Sequence, residues 1–175
     1  MGTSLAAGYI DPQGRVTGWL NELAFVPVDY RSDAPADEWS GDLGCGVQYF
    51  SQQAVGRLLP LSGIQVDDSL GLPEKLETVQ AKMAEGDERA AAIYETIGTY
   101  FGYTIAHFAD HYTFRNLLVL GRVSSGRGGD LILDTARKVL DAEFPKLSEK
   151  IAFQTPDEKT KRHGQAIAAA SLPRL

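Results

Sequence analysis

The chain has 175 residues, 43% hydrophobic and 23% charged, which suits one soluble domain with a sizeable core. A net charge of -6 with scattered Lys and Arg excludes the basic footprint that nucleic-acid backbones require. The lone Cys45 excludes an internal disulfide, no apolar run approaches the roughly 20 residues of a membrane span, and a cytoplasmic setting without a membrane partner is expected.

The chain opens on Gly2-Thr3-Ser4, followed by an apolar run from Leu5 to Ile10, the turn Pro12-Gln13-Gly14 and a second short run at Arg15-Val16. This order spells a β-hairpin whose first strand starts in a Gly/Thr/Ser loop. Glycine removes the Cβ that would keep a phosphate off the backbone, while hydroxyls and N–H groups supply donors. An ordinary hairpin uses the same residues.

The stretch Asn21 to Asp29 reads as a strand entered through a polar Asn-Glu pair, and residues 30–46, rich in Asp, Ser, Pro and Gly, as an irregular surface excursion. Phe50, Ala54, Val55, Leu58 and Leu59 have helical spacing, so a helix is expected over Gln48 to Leu59, ended by Pro60. A second helix is expected over Pro73 to Ala84, with Pro at its first position and Gly86 after its end. From Asp87 to about His111, Ile93, Ile97, Phe101, Ile105 and Phe108 recur every three or four residues, a helix of roughly seven turns. Its Gly98 and Gly102 either admit a close-packed backbone or are merely tolerated.

The run Asn116 to Leu120 is expected to be a buried strand, leading through the glycine-rich loop Gly121 to Gly129 into a helix from Asp130 to Glu143. A short strand over Lys150 to Gln154 and an alanine-rich helix over Asp157 to Leu172 close the chain. Strand, glycine loop, helix, strand, helix is the order of an α/β unit with parallel strands. Ligands bind such units where strands end and the helix N-terminus offers free N–H groups, so Gly121 to Gly129 is a second ligand-loop candidate. It is no P-loop, because the Gly-Lys-Ser/Thr ending is missing.

Three further candidates stand beside the loops. His107 and His111 share one helix face near Asp110, but without a third ligand they read as the polar edge of a packed helix. Cys45, in Gly44-Cys45-Gly46, has no histidine nearby to activate it and reads as a small residue in a tight loop. Glu22 precedes an expected strand, where it either accepts hydrogen bonds from sugar hydroxyls or remains a surface charge.

In order, these segments resemble the C-terminal half of the ROK family of bacterial sugar kinases and sugar-responsive repressors. Gly2 to Ile10 with Gly14-Arg15 is similar to the family's second phosphate loop and hairpin, and Asn21 to Val28 to the segment with its sugar-binding glutamate. Leu118 to Val123 with Gly128-Gly129-Asp130 is similar to its adenosine turn, and Gly164 to Ala170 to its closing alanine-rich helix.

The resemblance implies a ribonuclease-H-like lobe of the actin/hexokinase ATPase type, an α/β fold with a mixed sheet and flanking helices. Gly2, Thr3 and Ser4 would then face the transferred phosphate, Gly121, Arg122 and Ser124 would border adenosine, and Glu22 would orient sugar hydroxyls. ATP with Mg2+ and a hexose or hexose derivative are the implied ligands. The implied activity is a sugar kinase's, with a sugar-sensing or dimerising module of a regulator as the alternative. The family's catalytic aspartate lies before the Gly-Thr segment, so the N-terminal lobe is expected to be absent, no catalytic residue is assigned, and the chain alone is expected to be inactive. A homodimer or other self-association is expected, with the long helix as a contact. Many members carry a structural zinc held by one histidine and three cysteines; here Phe25 stands at the histidine position and only Cys45 matches a cysteine, so no zinc is expected. Arg122 also stands where a second glycine is usual.

Overall fold

The computed structural model describes residues 1–155. The elements run α1 (Val47–Phe50), α2 (Gln52–Ser62), α3 (Leu72–Glu85), α4 (Glu88–Ala109), β1 (Asn116–Leu118), α5 (Gly126–Glu143), α6 (Pro145–Ser148) and β2 (Ala152–Gln154). This is an α/β arrangement of helices with a small sheet. The helix expected over Asp157 to Leu172, with the Gly164 to Ala170 motif, lies outside the described residues.

Helix α4 is the centre of the core. Asp87 caps it, its carboxylate accepting from the Arg89 N–H and pairing with the Arg89 guanidinium, so the first turn has both a cap and favourable charge. Ile93, Ile97, Phe101 and Ile105 form its buried stripe. A Cβ at Gly98 would sit 2.7 Å from the Ile132 carbonyl oxygen, and one at Gly102 2.6 Å from Val139 Cβ. These glycines therefore let α5 lie directly on α4, where Ile132, Ala136 and Leu140 complete the core. The apolar face of α4 is thus packed within the chain.

Helix α3 begins with Pro73 in its first turn and stops at left-handed Gly86, whose N–H donates to the carbonyls of Lys82 and Met83. The helix expected over Gln48 to Leu59 is instead two helices. Ser51 is extended between them, and its hydroxyl donates to the Val47 carbonyl while accepting from the Gln53 N–H. Pro60 does not end α2. It falls in the last turn, and left-handed Gly63 makes the stop.

The extended parts depart further from expectation. β1 and β2 pair in parallel, with Leu117 opposite Phe153, and are the whole sheet among the described residues, so the expected mixed sheet is not formed there. The strand Asn116 to Leu120 is not buried: Leu118 and Leu120 are 56% and 44% exposed, because only the face carrying Leu117 and Val119 meets the helices. The N-terminal hairpin is present as the antiparallel bridge Ile10↔Val16, with the Asp11 carboxylate accepting backbone N–H groups of its turn. The expected strand over Asn21 to Asp29 is absent. Pro27 has no N–H to donate, and Val28 and Asp29 both donate to the single carbonyl of Gly44, which interrupts any ladder.

Tyr94 of α4 is fully buried under the start of α5, and its ring lies where a Cβ of Gly128 would be. Its hydroxyl has no hydrogen-bond partner among the described residues, and burial pushes its pKa up to about 12. An orphaned buried hydroxyl costs free energy that a hydrogen atom does not. Tyr94→Phe is therefore expected to leave stability unchanged or raise it by about 1 kcal/mol in denaturant unfolding. A loss of about 1 kcal/mol or more would show that the hydroxyl is paired.

Candidate functional site

The N-terminal loop is seated between two elements far from it in sequence. The Met1 ammonium donates to the Leu120 carbonyl (2.8 Å), and the Val123 N–H donates back to the Met1 carbonyl (3.2 Å). One residue on, the Gln52 N–H at the start of α2 donates to the Gly2 carbonyl (2.9 Å). Gly121 makes this seat possible. Its φ is +113°, and a Cβ there would lie 2.2 Å from the Met1 carbonyl oxygen. Burial lowers the pKa of the Met1 ammonium. Gly2 closes a small turn by donating to the Ser4 carbonyl, whereas Thr3 and Ser4 are exposed. The candidate phosphate residues Gly2, Thr3 and Ser4 and the candidate adenosine residue Gly121 are thereby brought side by side.

The turn after β1 is internally tied. Ser124 is buried and its hydroxyl donates to the Gly121 carbonyl (3.2 Å), while the Ser125 hydroxyl donates to the Arg122 carbonyl (2.7 Å). From α3, the Gln80 amide donates to the same Arg122 carbonyl (2.8 Å), and Glu77 pairs with the Arg122 guanidinium (3.0 Å). That ion pair is exposed at both ends and contributes little stability, but it draws the Arg122 side chain onto α3. Ser124 shapes the turn from beneath.

Helix α5 starts at Gly126, earlier than the Asp130 expected from the sequence. Gly126 to Gly129 are its first turn, because a Cβ at Gly129 would strike the Ser124 carbonyl oxygen at 2.1 Å and one at Gly128 the Tyr94 ring. Packing explains these glycines. Ser125 makes no side-chain cap, so the first N–H groups of α5 open next to the turn that seats Met1.

Glu22 is exposed, and its carboxylate has no protein partner among the described residues. Its carbonyl accepts from the Phe25 N–H (3.0 Å), which holds the segment in a turn. The next residue brings it towards the N-terminal loop. A Cβ at Gly46 would lie 2.3 Å from the Leu23 carbonyl oxygen and 3.1 Å from Leu5 Cδ2. Gly121, Met1, Gly2, Leu5, Gly46, Leu23 and Glu22 therefore follow one another as a continuous path of contacts and chain neighbours that runs through buried Gly46.

The excursion after Glu22 is organised without a metal-like donor set. Phe25 packs its ring on Trp39 at 5.6 Å, and fully buried Cys45 lies among Ala24 and Val47, with burial raising its thiol pKa. An aromatic ring and an apolar-packed thiol do not fit a zinc ion. Sequence reasoning missed what holds this region. Buried Asp29 accepts from the Tyr49 hydroxyl and from the Arg31 guanidinium (2.9 Å), and Arg57 stacks over the Tyr49 ring at 4.8 Å. Asp37 accepts from the backbone N–H groups of Trp39 and Ser40. His107 and His111 meet edge to face at 5.4 Å, and no group of three potential metal ligands occurs among the described residues.

No family model and no curated protein matches the sequence. The fold is found in the crystal structure of a ROK family transcriptional regulator, a homolog of the E. coli MLC protein, with a TM-score of 0.70 and 19% sequence identity. The match covers 89% of this chain and 40% of that one, so the chain spans about two-fifths of that protein's length. The resemblance read from the sequence and this likeness point to the same family, and at this identity the likeness establishes the fold. Among the described residues, no helix is long and apolar enough to cross a membrane.

Proposed function

We propose that this chain is the nucleotide- and sugar-binding lobe of a ROK-type protein with an actin-like ATPase fold, of the ATP-dependent sugar kinase kind. One observation carries the reading: the Gly2-Thr3-Ser4 loop is seated on the Gly121 turn beside the start of α5, so phosphate-type and adenosine-type elements share one surface. Exposed Thr3 and Ser4 would donate to phosphate oxygens, Gly121 and Arg122 would border the adenosine, Ser124 would hold that turn, and Glu22 would orient hexose hydroxyls. Magnesium would arrive with ATP and neutralise phosphate charge. Phosphoryl transfer is mostly positioning and charge stabilisation, and the base would come from a second lobe, leaving this one inactive alone. Its proposed setting is the cytoplasm.

A second reading is a sugar-sensing, dimerising module of a regulator. One observation favours it: a solved structure sharing the fold is a transcriptional regulator. Calorimetric titration with magnesium-ADP, then with hexoses, separates the two. The kinase-lobe reading expects weak nucleotide binding that is lost when Thr3 and Ser4 are both replaced by alanine. Hexose binding without nucleotide binding would transfer the conclusion to the sensing module.

A further inference from the structure

The hairpin carries an aromatic group that the candidate site does not use. Trp19 stacks on Tyr9 with ring centroids 5.1 Å apart and planes at 22°, and Tyr112 tilts against both. The Tyr9 hydroxyl donates to the Thr113 carbonyl (2.7 Å), so the lower ring is fixed to the chain that leaves α4. Trp19 nonetheless remains 59% exposed. One ring face is supported while solvent reaches much of the side chain, an arrangement that burial alone does not explain.

Polar groups adjoin this ring. The Asn21 amide donates to the Trp19 carbonyl (3.0 Å), while its buried Oδ1 has no partner among the described residues. The Leu23 N–H donates to the Asn21 carbonyl (2.8 Å), so the chain turns at Glu22. Trp19 and Glu22 are three residues apart, hence within about 11 Å even if fully extended. A supported aromatic ring near a free, exposed carboxylate suits one ligand chemistry. A pyranose presents a C–H face to an aromatic ring and hydroxyl donors around its rim. The carboxylate and the net charge of -6 disfavour an acidic sugar.

We propose that Trp19 is the stacking platform of the sugar site, holding a neutral hexopyranose against its open face while Glu22 accepts from the hydroxyls. This rests on the reading of Glu22 as the sugar-binding carboxylate, and it adds the group that sets affinity.

The chain has two tryptophans, Trp19 and Trp39, so Trp39→Phe leaves Trp19 as the sole indole reporter. Titrating that variant with D-glucose, D-mannose and N-acetyl-D-glucosamine is expected to change its emission saturably with at least one of them. Calorimetry with the same sugars should then show Trp19→Leu binding about tenfold more weakly, Trp19→Phe falling between it and the parent, and Glu22→Gln also weakened. Tyr9 and Tyr112 keep the patch packed in Trp19→Phe, so it is the folded control should Trp19→Leu unfold. Weakening by Glu22→Gln with no effect of either Trp19 variant would overturn the platform and leave the sugar-lobe reading intact. No saturable response to any of the three sugars would overturn the platform, while nucleotide titration would still test the lobe separately. Concentration-dependent sedimentation abolished by Trp19→Phe, with sugar affinity unchanged, would make the patch a contact between copies and also overturn it.

Discussion

Gly121→Val is expected to unseat the N-terminal loop, lowering stability by about 3 kcal/mol and abolishing nucleotide binding. Two effects add at this position. A β-branched residue at φ +113° is strained by roughly 1–3 kcal/mol, and its Cβ would lie 2.2 Å from the Met1 carbonyl oxygen, far inside van der Waals contact, so the backbone must separate. Once separated, the hydrogen bonds from Met1 to Leu120 and from Val123 to Met1 are lost together. Gly63→Val, also in the left-handed region but with no atom within 4 Å of its Cβ, is the control. It should lose stability through strain alone and keep nucleotide binding. Denaturant unfolding and calorimetry on both variants check this, and equal effects would contradict the seating of Met1 on Gly121.

Asp29→Ala is expected to cost about 3 kcal/mol at neutral pH, because it leaves the buried Tyr49 hydroxyl and one face of Arg31 without their acceptor. The Arg31 guanidinium and the Tyr49 hydroxyl hold the Asp29 carboxyl well below the usual carboxylate range. The folded-state pKa is thus depressed, and its stabilisation is fully present above the unfolded value of about 4. It is lost progressively as pH falls below that value towards the folded pKa. Asp87, pulled down to about 2 by Arg89, acts in the same direction. Asp29→Asn should therefore be less stable than the parent at pH 7 and lose less on acidification. A chelator should leave the midpoint of both unchanged. Parallel acid-unfolding curves for the two would show that Asp29 does not pin the excursion.

The helices were legible because their signals are local. The three-to-four-residue apolar period of α4, with Asp87 before it and Gly86 ending α3, needs no tertiary knowledge to read. The break at Ser51 was hidden, since one extended residue interrupts an apolar period without changing it. Gly126 to Gly129 read as a loop because glycine signals flexibility locally, whereas here Tyr94 and the Ser124 carbonyl demand the missing Cβ atoms. The strand expected over Asn21 to Asp29 failed for a similar reason: its apolar run packs as a small cluster around Cys45, and its backbone groups go to Gly44 and Gly46.

At the candidate site, the motifs and their order could be read directly, but not the contacts that join them. Met1 meets Leu120 across 119 residues, and Asp29 meets Tyr49 across 20, separations at which a single sequence carries no pairing signal. Trp19 was likewise unremarkable alone. Its meaning comes from Tyr9 below it and Tyr112 beside it, which only the folded chain assembles.

The central claim is that the Gly2-Thr3-Ser4 loop and the Gly121 turn form one nucleotide half-site. Hydrogen exchange of the chain with and without saturating magnesium-ADP tests it most directly. The account predicts slower exchange together in peptides covering residues 1–5 and 121–129, with little change in α3 or the excursion after Glu22. Protection in only one of the two segments, or in neither while calorimetry reports binding, would contradict it.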